Sequence, residues 1–133
     1  MEKQVLQKKY MNFQLLTERL NALQEQHSAL EAHANELTIL LSSLDELKQA
    51  KEGQEILVPL SSSLFTKAKL QQNQNFIIGV GANVLVEKSF DEAYASITSQ
   101  KAELSLVLKQ LEEELQRLMA VLQNLQSEIL QEQ

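Results

Sequence analysis

Few side chains in this chain are placed to do covalent chemistry. The two histidines, His27 and His33, stand six residues apart, whereas two ligands on one helix must be three or four apart to face one metal ion. His27 instead falls on an apolar stripe, where a polar residue helps to fix helix register. Gly79-Val80-Gly81 begins like a phosphate-binding loop. The third glycine is missing from Ala82-Asn83-Val84, and the segment beyond it has the character of a strand rather than a helix, so a hairpin turn is the better reading. The run Glu112-Glu113-Glu114 offers carboxylates, but successive helical residues point in different directions, which predicts a solvated face. Cysteine is absent, which excludes a disulfide framework and thiolate metal sites. No Ser, His and Asp grouping stands out. The expectation is a protein that is not an enzyme and takes neither cofactor nor metal.

The chemistry left to it is that of association, concentrated in two places. The middle of the chain carries Ile56, Val58, Leu64, Phe65, Phe76, Ile77, Ile78, Val80, Val84 and Val86. That is more apolar surface than two isolated hairpins can hide, and an isolated hairpin is only marginally stable in water. These residues are therefore expected to form a sheet shared between subunits. The two chain ends are the second place. Val5, Leu6, Tyr10, Met11, Phe13, Leu15 and Leu16 near the start, and Met119, Val121, Leu122, Leu125, Ile129 and Leu130 near the finish, exceed what one stripe per helix can bury. The surplus is expected to stay in water, and exposed apolar clusters mark binding surfaces. Val5, Leu6, Tyr10, Met11, Phe13, Leu122, Leu125, Ile129 and Leu130 are the candidate contacts.

Periodicity predicts the elements that position these residues. Phe13, Leu16, Leu20, Leu23, His27, Leu30, Ala34, Leu37, Leu41 and Leu44 recur at alternating spacings of three and four, as do Ile97, Lys101, Leu104, Leu108, Leu111, Leu115, Leu118, Leu122, Leu125 and Ile129. This heptad pattern predicts two coiled-coil helices. The first runs over about residues 2–51, with Lys48, Lys51 and Gly53 as its stop signal. The second opens at Ser89-Phe90-Asp91-Glu92, a Ser cap followed three residues later by Glu, and continues to about residue 132. Between them Ile56–Val58, Leu64–Leu70, Phe76–Val80 and Val84–Glu87 read as four short strands making two hairpins, with Ser61–Ser63, Gln71–Asn75 and Gly81–Asn83 as connections. The fold class is thus mainly α: an antiparallel two-helix coiled-coil hairpin with two β-hairpins between the helices. A single domain, 1–133, is expected, with 1–52 and 89–133 as helices and 54–88 for oligomerisation.

Net charge is −6 over 133 residues, which disfavours phosphate backbones and hence nucleic acid as a partner. No stretch approaches the roughly 18 apolar residues of a membrane span, and Met1-Glu2-Lys3-Gln4 carries no signal-peptide core. A cytoplasmic protein without membrane contact is expected.

Glu55-Ile56-Leu57-Val58-Pro59-Leu60, Leu64-Phe65-Thr66-Lys67-Ala68-Lys69-Leu70, and Gly79-Val80-Gly81-Ala82-Asn83-Val84-Leu85-Val86-Glu87-Lys88 followed by Asp91-Glu92-Ala93, set between long heptad helices, resemble the alpha class of the prefoldin family. Ser61-Ser62-Ser63 departs from the Gly-rich turn expected there. The resemblance implies a hexamer of two alpha and four beta subunits, with strands forming a central double β-barrel and coiled-coil arms whose tips hold unfolded client proteins. It further implies delivery to a group II chaperonin without ATP. Lys3, Lys8, Lys9, Glu128 and Glu132 are then candidates for chaperonin docking. The rival reading is a structural adaptor whose helical hairpin recruits one specific folded partner.

Overall fold

The computed structural model describes residues 2–71 and 75–132. Gln72, Asn73 and Gln74, most of the expected Gln71–Asn75 loop, lie outside the described residues. The element order is α1 (Glu2–Gln49), β1 (Glu55–Pro59), β2 (Phe65–Lys69), β3 (Asn75–Gly79), β4 (Leu85–Ser89) and α2 (Phe90–Gln131). The strands form two separate antiparallel pairs, β1 with β2 and β3 with β4. The chain divides into two compact units: Met1–Asn35 with Ala102–Gln133, and Glu36–Lys101.

The unit Glu36–Lys101 contains the hairpins and the adjoining helical turns. Its buried side chains are Leu37 and Leu44 of α1 and Ala93 and Ile97 of α2, all but Ala93 on the heptad stripes. α1 stops two residues before the expected Lys51. The Ala50 N–H folds back to the Leu47 carbonyl at 3.3 Å, and the Lys51 N–H is taken by Oε1 of Gln54 at 3.2 Å, so neither continues the helical ladder. Gly53 then adopts φ +80°, a conformation that costs an L side chain free energy. Its N–H donates to the Leu70 carbonyl at 2.7 Å, and the Leu70 N–H donates to the Gln54 carbonyl at 2.9 Å, extending the β1–β2 ladder.

The hairpin turns are closed alike by different means. The Leu60 N–H donates to the Leu64 carbonyl at 2.8 Å, and the Val80 N–H to the Val84 carbonyl at 3.0 Å, each bond spanning three residues. Gly81, Ala82 and Asn83 all carry positive φ, 100°, 51° and 60°. Ser61–Ser63 use none, which is why this turn tolerates three serines where glycine is expected. Leu64, Val80 and Val84 flank the turns rather than lying within strands, and Asn75 opens β3 rather than ending a loop.

α2 begins at once after β4. The Glu92 N–H donates to Oγ of Ser89 at 3.2 Å, and the Ser89 hydroxyl donates to Oε1 of Glu92 at 3.1 Å. The capping pair expected from the sequence is present, with the carboxylate turned to the hydroxyl. Phe90, the first helical residue, ties the elements of this unit together. Its ring stacks on Tyr94 at 5.6 Å, meets Phe76 of β3 at 6.3 Å, and lies 4.4 Å from Nζ of Lys48 in α1. A cation over an aromatic face is attracted by the ring quadrupole.

In the unit Met1–Asn35 with Ala102–Gln133, Leu111, Leu118, Leu122 and Ile129 of α2 are buried. On α1, Leu6, Lys9, Phe13, Leu16, Leu20, Leu23, His27 and Leu30 are half-buried at the same three–four spacing. Polar pairs between the helices fix the antiparallel register. Nζ of Lys9 meets Oε1 of Glu132 at 2.6 Å, Nη2 of Arg19 meets Oε1 of Glu114 at 2.6 Å, and Nε2 of His27 meets Oε1 of Glu112 at 3.1 Å. Glu112 and Glu114 therefore do more than the solvated face expected of them, since each reaches across to α1.

Candidate interaction surfaces

Hairpin faces can be assigned from strand register. Ile56 pairs with Ala68 and Val58 with Thr66 on one face of β1–β2, while Leu57 pairs with Lys67 and Pro59 with Phe65 on the other. In β3–β4, Phe76 pairs with Lys88 and Ile78 with Val86 on one face, and Ile77 with Glu87 on the other. Ile56, Phe76 and Ile78 are half-buried. Val58, Leu64, Phe65, Ile77, Val80, Val84 and Val86 are exposed. Each hairpin thus carries apolar side chains on both faces, the pattern of strands covered on both sides.

Three further residues belong to this surface beyond the set expected from the sequence: Leu57, Leu60 and Leu85, exposed by 64%, 65% and 69%. Alternation is the signal that finds Leu57 and Leu85, since each stands on the opposite face from its apolar neighbours. Leu60 lies beyond the strand end and has no such signal.

At the chain ends the structure sorts the candidate contacts into two groups. Val5, Tyr10, Met11 and Leu130 are exposed, together with Leu15, Met119 and Val121. Leu6, Phe13 and Leu125 are half-buried. Leu122 and Ile129 are buried in the seam and are not open surface, which corrects their place among the exposed candidates. Both are heptad residues, and their spacing already aims them at α1. A shallow groove of about 550 Å³ between the helices is lined by Asn12, Leu15, Leu16, Val121, Asn124, Leu125 and Glu128.

Three of the charges at the chain ends are engaged with one another. Lys9 occupies a seam position and bridges Glu132 at 2.6 Å and Glu128 at 3.6 Å. Its hydrogen bond to Glu132 raises the ammonium pKa above the usual 10.5, against a smaller opposing effect of desolvation. Of the five charged candidates for docking, Lys9, Glu128 and Glu132 therefore already hold the ends of α1 and α2 together.

Among the described residues, no group of three or more His, Cys, Asp or Glu could hold a metal ion. No described helix is long and apolar enough to cross a membrane.

Helix, two hairpins and helix, with hairpins apolar on both faces, define a protein of two long helices joined by paired strands. Comparison with known proteins agrees in sequence and in fold. The family described as Prefoldin subunit matches residues 16–133. Prefoldin subunit alpha of Thermofilum pendens is 27% identical over 117 residues, covering 88% of this chain and 91% of that one. Prefoldin subunit alpha of Methanococcus aeolicus is 29% identical over 112 residues, covering 81% and 76%. A chain of the filamentous PFD from Methanocaldococcus jannaschii, known from cryo-electron microscopy, superposes with a TM-score of 0.73 at 24% identity, over 92% of this chain and 98% of that one. The chain belongs to the prefoldin family, whose members are chaperone subunits.

Proposed function

We propose that this chain is an ATP-independent chaperone subunit of the cytoplasm that captures non-native polypeptides on the terminal turns of its helices. It delivers them to a group II chaperonin. Its hairpins join those of beta-type subunits, two alpha with four beta, in an intersubunit β-barrel. The observation that carries the capture step is the exposure of Val5, Tyr10, Met11 and Leu130 beside a seam already filled by Leu122 and Ile129. Apolar surface outside the buried seam remains in water there. The assembly step is supported by hairpins with apolar residues on both faces and no strand partner beyond their own pair among the described residues.

Capture works by many weak contacts. Removing apolar surface from water yields roughly 25 cal/mol per Å², so one exposed Leu- or Tyr-sized side chain contributes on the order of 1 kcal/mol. One such patch binds weakly. Several subunits engaging one client raise the overall affinity through effective concentration.

The test replaces Val5, Met11 and Leu130 with Ser, all exposed and outside the buried seam. Suppression of aggregation of several unrelated denatured proteins is followed by light scattering. Holding is expected to fall several-fold while solution mass and melting temperature stay those of the unaltered chain. Undiminished holding by the triple variant would overturn capture at the chain ends. Binding of a single folded protein, with no effect on denatured ones, would favour the adaptor instead.

A further inference from the structure

Sulfur is scarce in this chain and unevenly placed. There is no Cys and no Trp, and there are three Met, so peroxides find thioethers as their only fast-reacting side chains. Met1 lies outside the described residues. The other two, Met11 and Met119, are exposed by 64% and 53%, and both belong to the unit Met1–Asn35 with Ala102–Gln133. Neither serves the seam. Met11 falls midway between the half-buried Lys9 and Phe13, and Met119 comes directly after the buried Leu118. Met11 is also one helical turn from Leu15, which is exposed by 58%. Residues four apart are neighbours on a helix surface, so this sulfur sits in an apolar patch.

From this placement we infer that Met11 and Met119 are oxidation sites through which peroxide lowers client capture without unfolding the protein. The inference rests on the capture reading of the chain ends. In the reaction the thioether sulfur attacks one peroxide oxygen, the O–O bond breaks, and an S=O bond forms. The sulfur gives up two electrons, and the other oxygen leaves with the two protons as water. The product is polar where the thioether was apolar, at a surface that works by apolar contact. The seam side chains of this unit, which are Leu, Ile, Phe, Ala, His and Lys, contain no sulfur, so pairing of the helices is left intact. Cysteine-based sensing is not available to a chain without thiols.

The experiment treats the full chain with hydrogen peroxide, removes the oxidant, and only then adds denatured client. Peptide mass spectrometry reports sulfoxide at each methionine, and circular dichroism reports melting. With Met11 and Met119 converted, capture is expected to weaken roughly fivefold per site, equivalent to on the order of 1 kcal/mol of apolar contact, at an unchanged melting temperature. A Met11→Leu, Met119→Leu variant should hold clients at its own level, and peroxide should leave that level where it was. Full conversion with undiminished capture overturns the inference. So does an equal loss in the double Leu variant, which would place the effect at Met1 or elsewhere. If the untreated chain fails to hold clients, the capture reading falls first and this inference with it. If untreated protein holds and oxidised protein holds equally, only this inference falls.

Discussion

Replacing His27 with Leu should make the coiled coil more stable, although it removes two polar contacts. His27 stands at a seam position with its side chain only 18% exposed, Nε2 3.1 Å from Glu112 and Nδ1 3.6 Å from Glu31. Both carboxylates are open to water, with side-chain exposures of 59% and 60%. Pairs with an exposed partner contribute about 0.2–1 kcal/mol each. A fully buried Leu gains roughly 1.5–3 kcal/mol, of which about four-fifths applies at this burial, and the imidazole carbons it replaces already supply part. Set against each other, these leave a net gain of about 0.5 kcal/mol, or roughly 2 °C in melting temperature for a chain of this size. Glu31 and Glu112 keep their hydration when the imidazole goes, so no buried charge is stranded. Thermal and urea unfolding of the full chain, monitored by far-ultraviolet circular dichroism, would measure the difference. His27→Ala serves as the control, losing both the pairs and the volume, and should melt below the unaltered chain. If His27→Leu melted as low as His27→Ala, the Glu112 contact would outweigh apolar filling of the seam, and this ranking of the two effects would be wrong.

Local geometry sets two other outcomes. Ala82 holds φ 51°, where an L side chain costs about 1–2 kcal/mol; Ala82→Gly removes that strain and returns about 0.5–1 kcal/mol of it as chain entropy. A small rise in urea midpoint is expected, whereas a fall would show that Ala82 is comfortable in the turn. For Lys9, the folded-state pKa lies above 10.5, raised chiefly by the Glu132 hydrogen bond. Its stabilisation is therefore complete below 10.5 and disappears as pH climbs through the higher folded value. Melting temperature in strong alkali should drop further for the unaltered chain than for Lys9→Gln, and parallel curves would contradict the assigned pairing.

Much of the architecture is legible in the sequence because it is periodic. The 4-3 recurrence of leucines locates both helices, and the buried residues Leu37, Leu44, Ile97, Leu111, Leu118, Leu122 and Ile129 are all heptad residues. Ser89 and Glu92 mark the start of α2 because capping is a local exchange of hydrogen bonds. The end of α1 is harder to read, and the lysine and glycine signals place it two residues late. Its stop is decided by the side-chain amide of Gln54, three residues beyond the backbone it caps. The serine turn defeats composition for a related reason: a three-residue loop can close with or without left-handed residues, and composition favours only one of the two.

Helix and strand type, the alternation within each strand and the surplus of apolar residues at the chain ends are read from spacing alone. Burial of one stripe per element is a property of the individual segment. Which apolar side chains stay wet is a different matter. Leu130 is exposed while its neighbour Ile129 is buried, and Val121 is exposed beside the buried Leu122. The pairs Lys9–Glu132, Arg19–Glu114 and His27–Glu112 set the register that decides this. Those contacts join residues more than eighty positions apart. No local pattern encodes them, because a side chain's exposure depends on the residues across the seam as much as on its own place in the heptad.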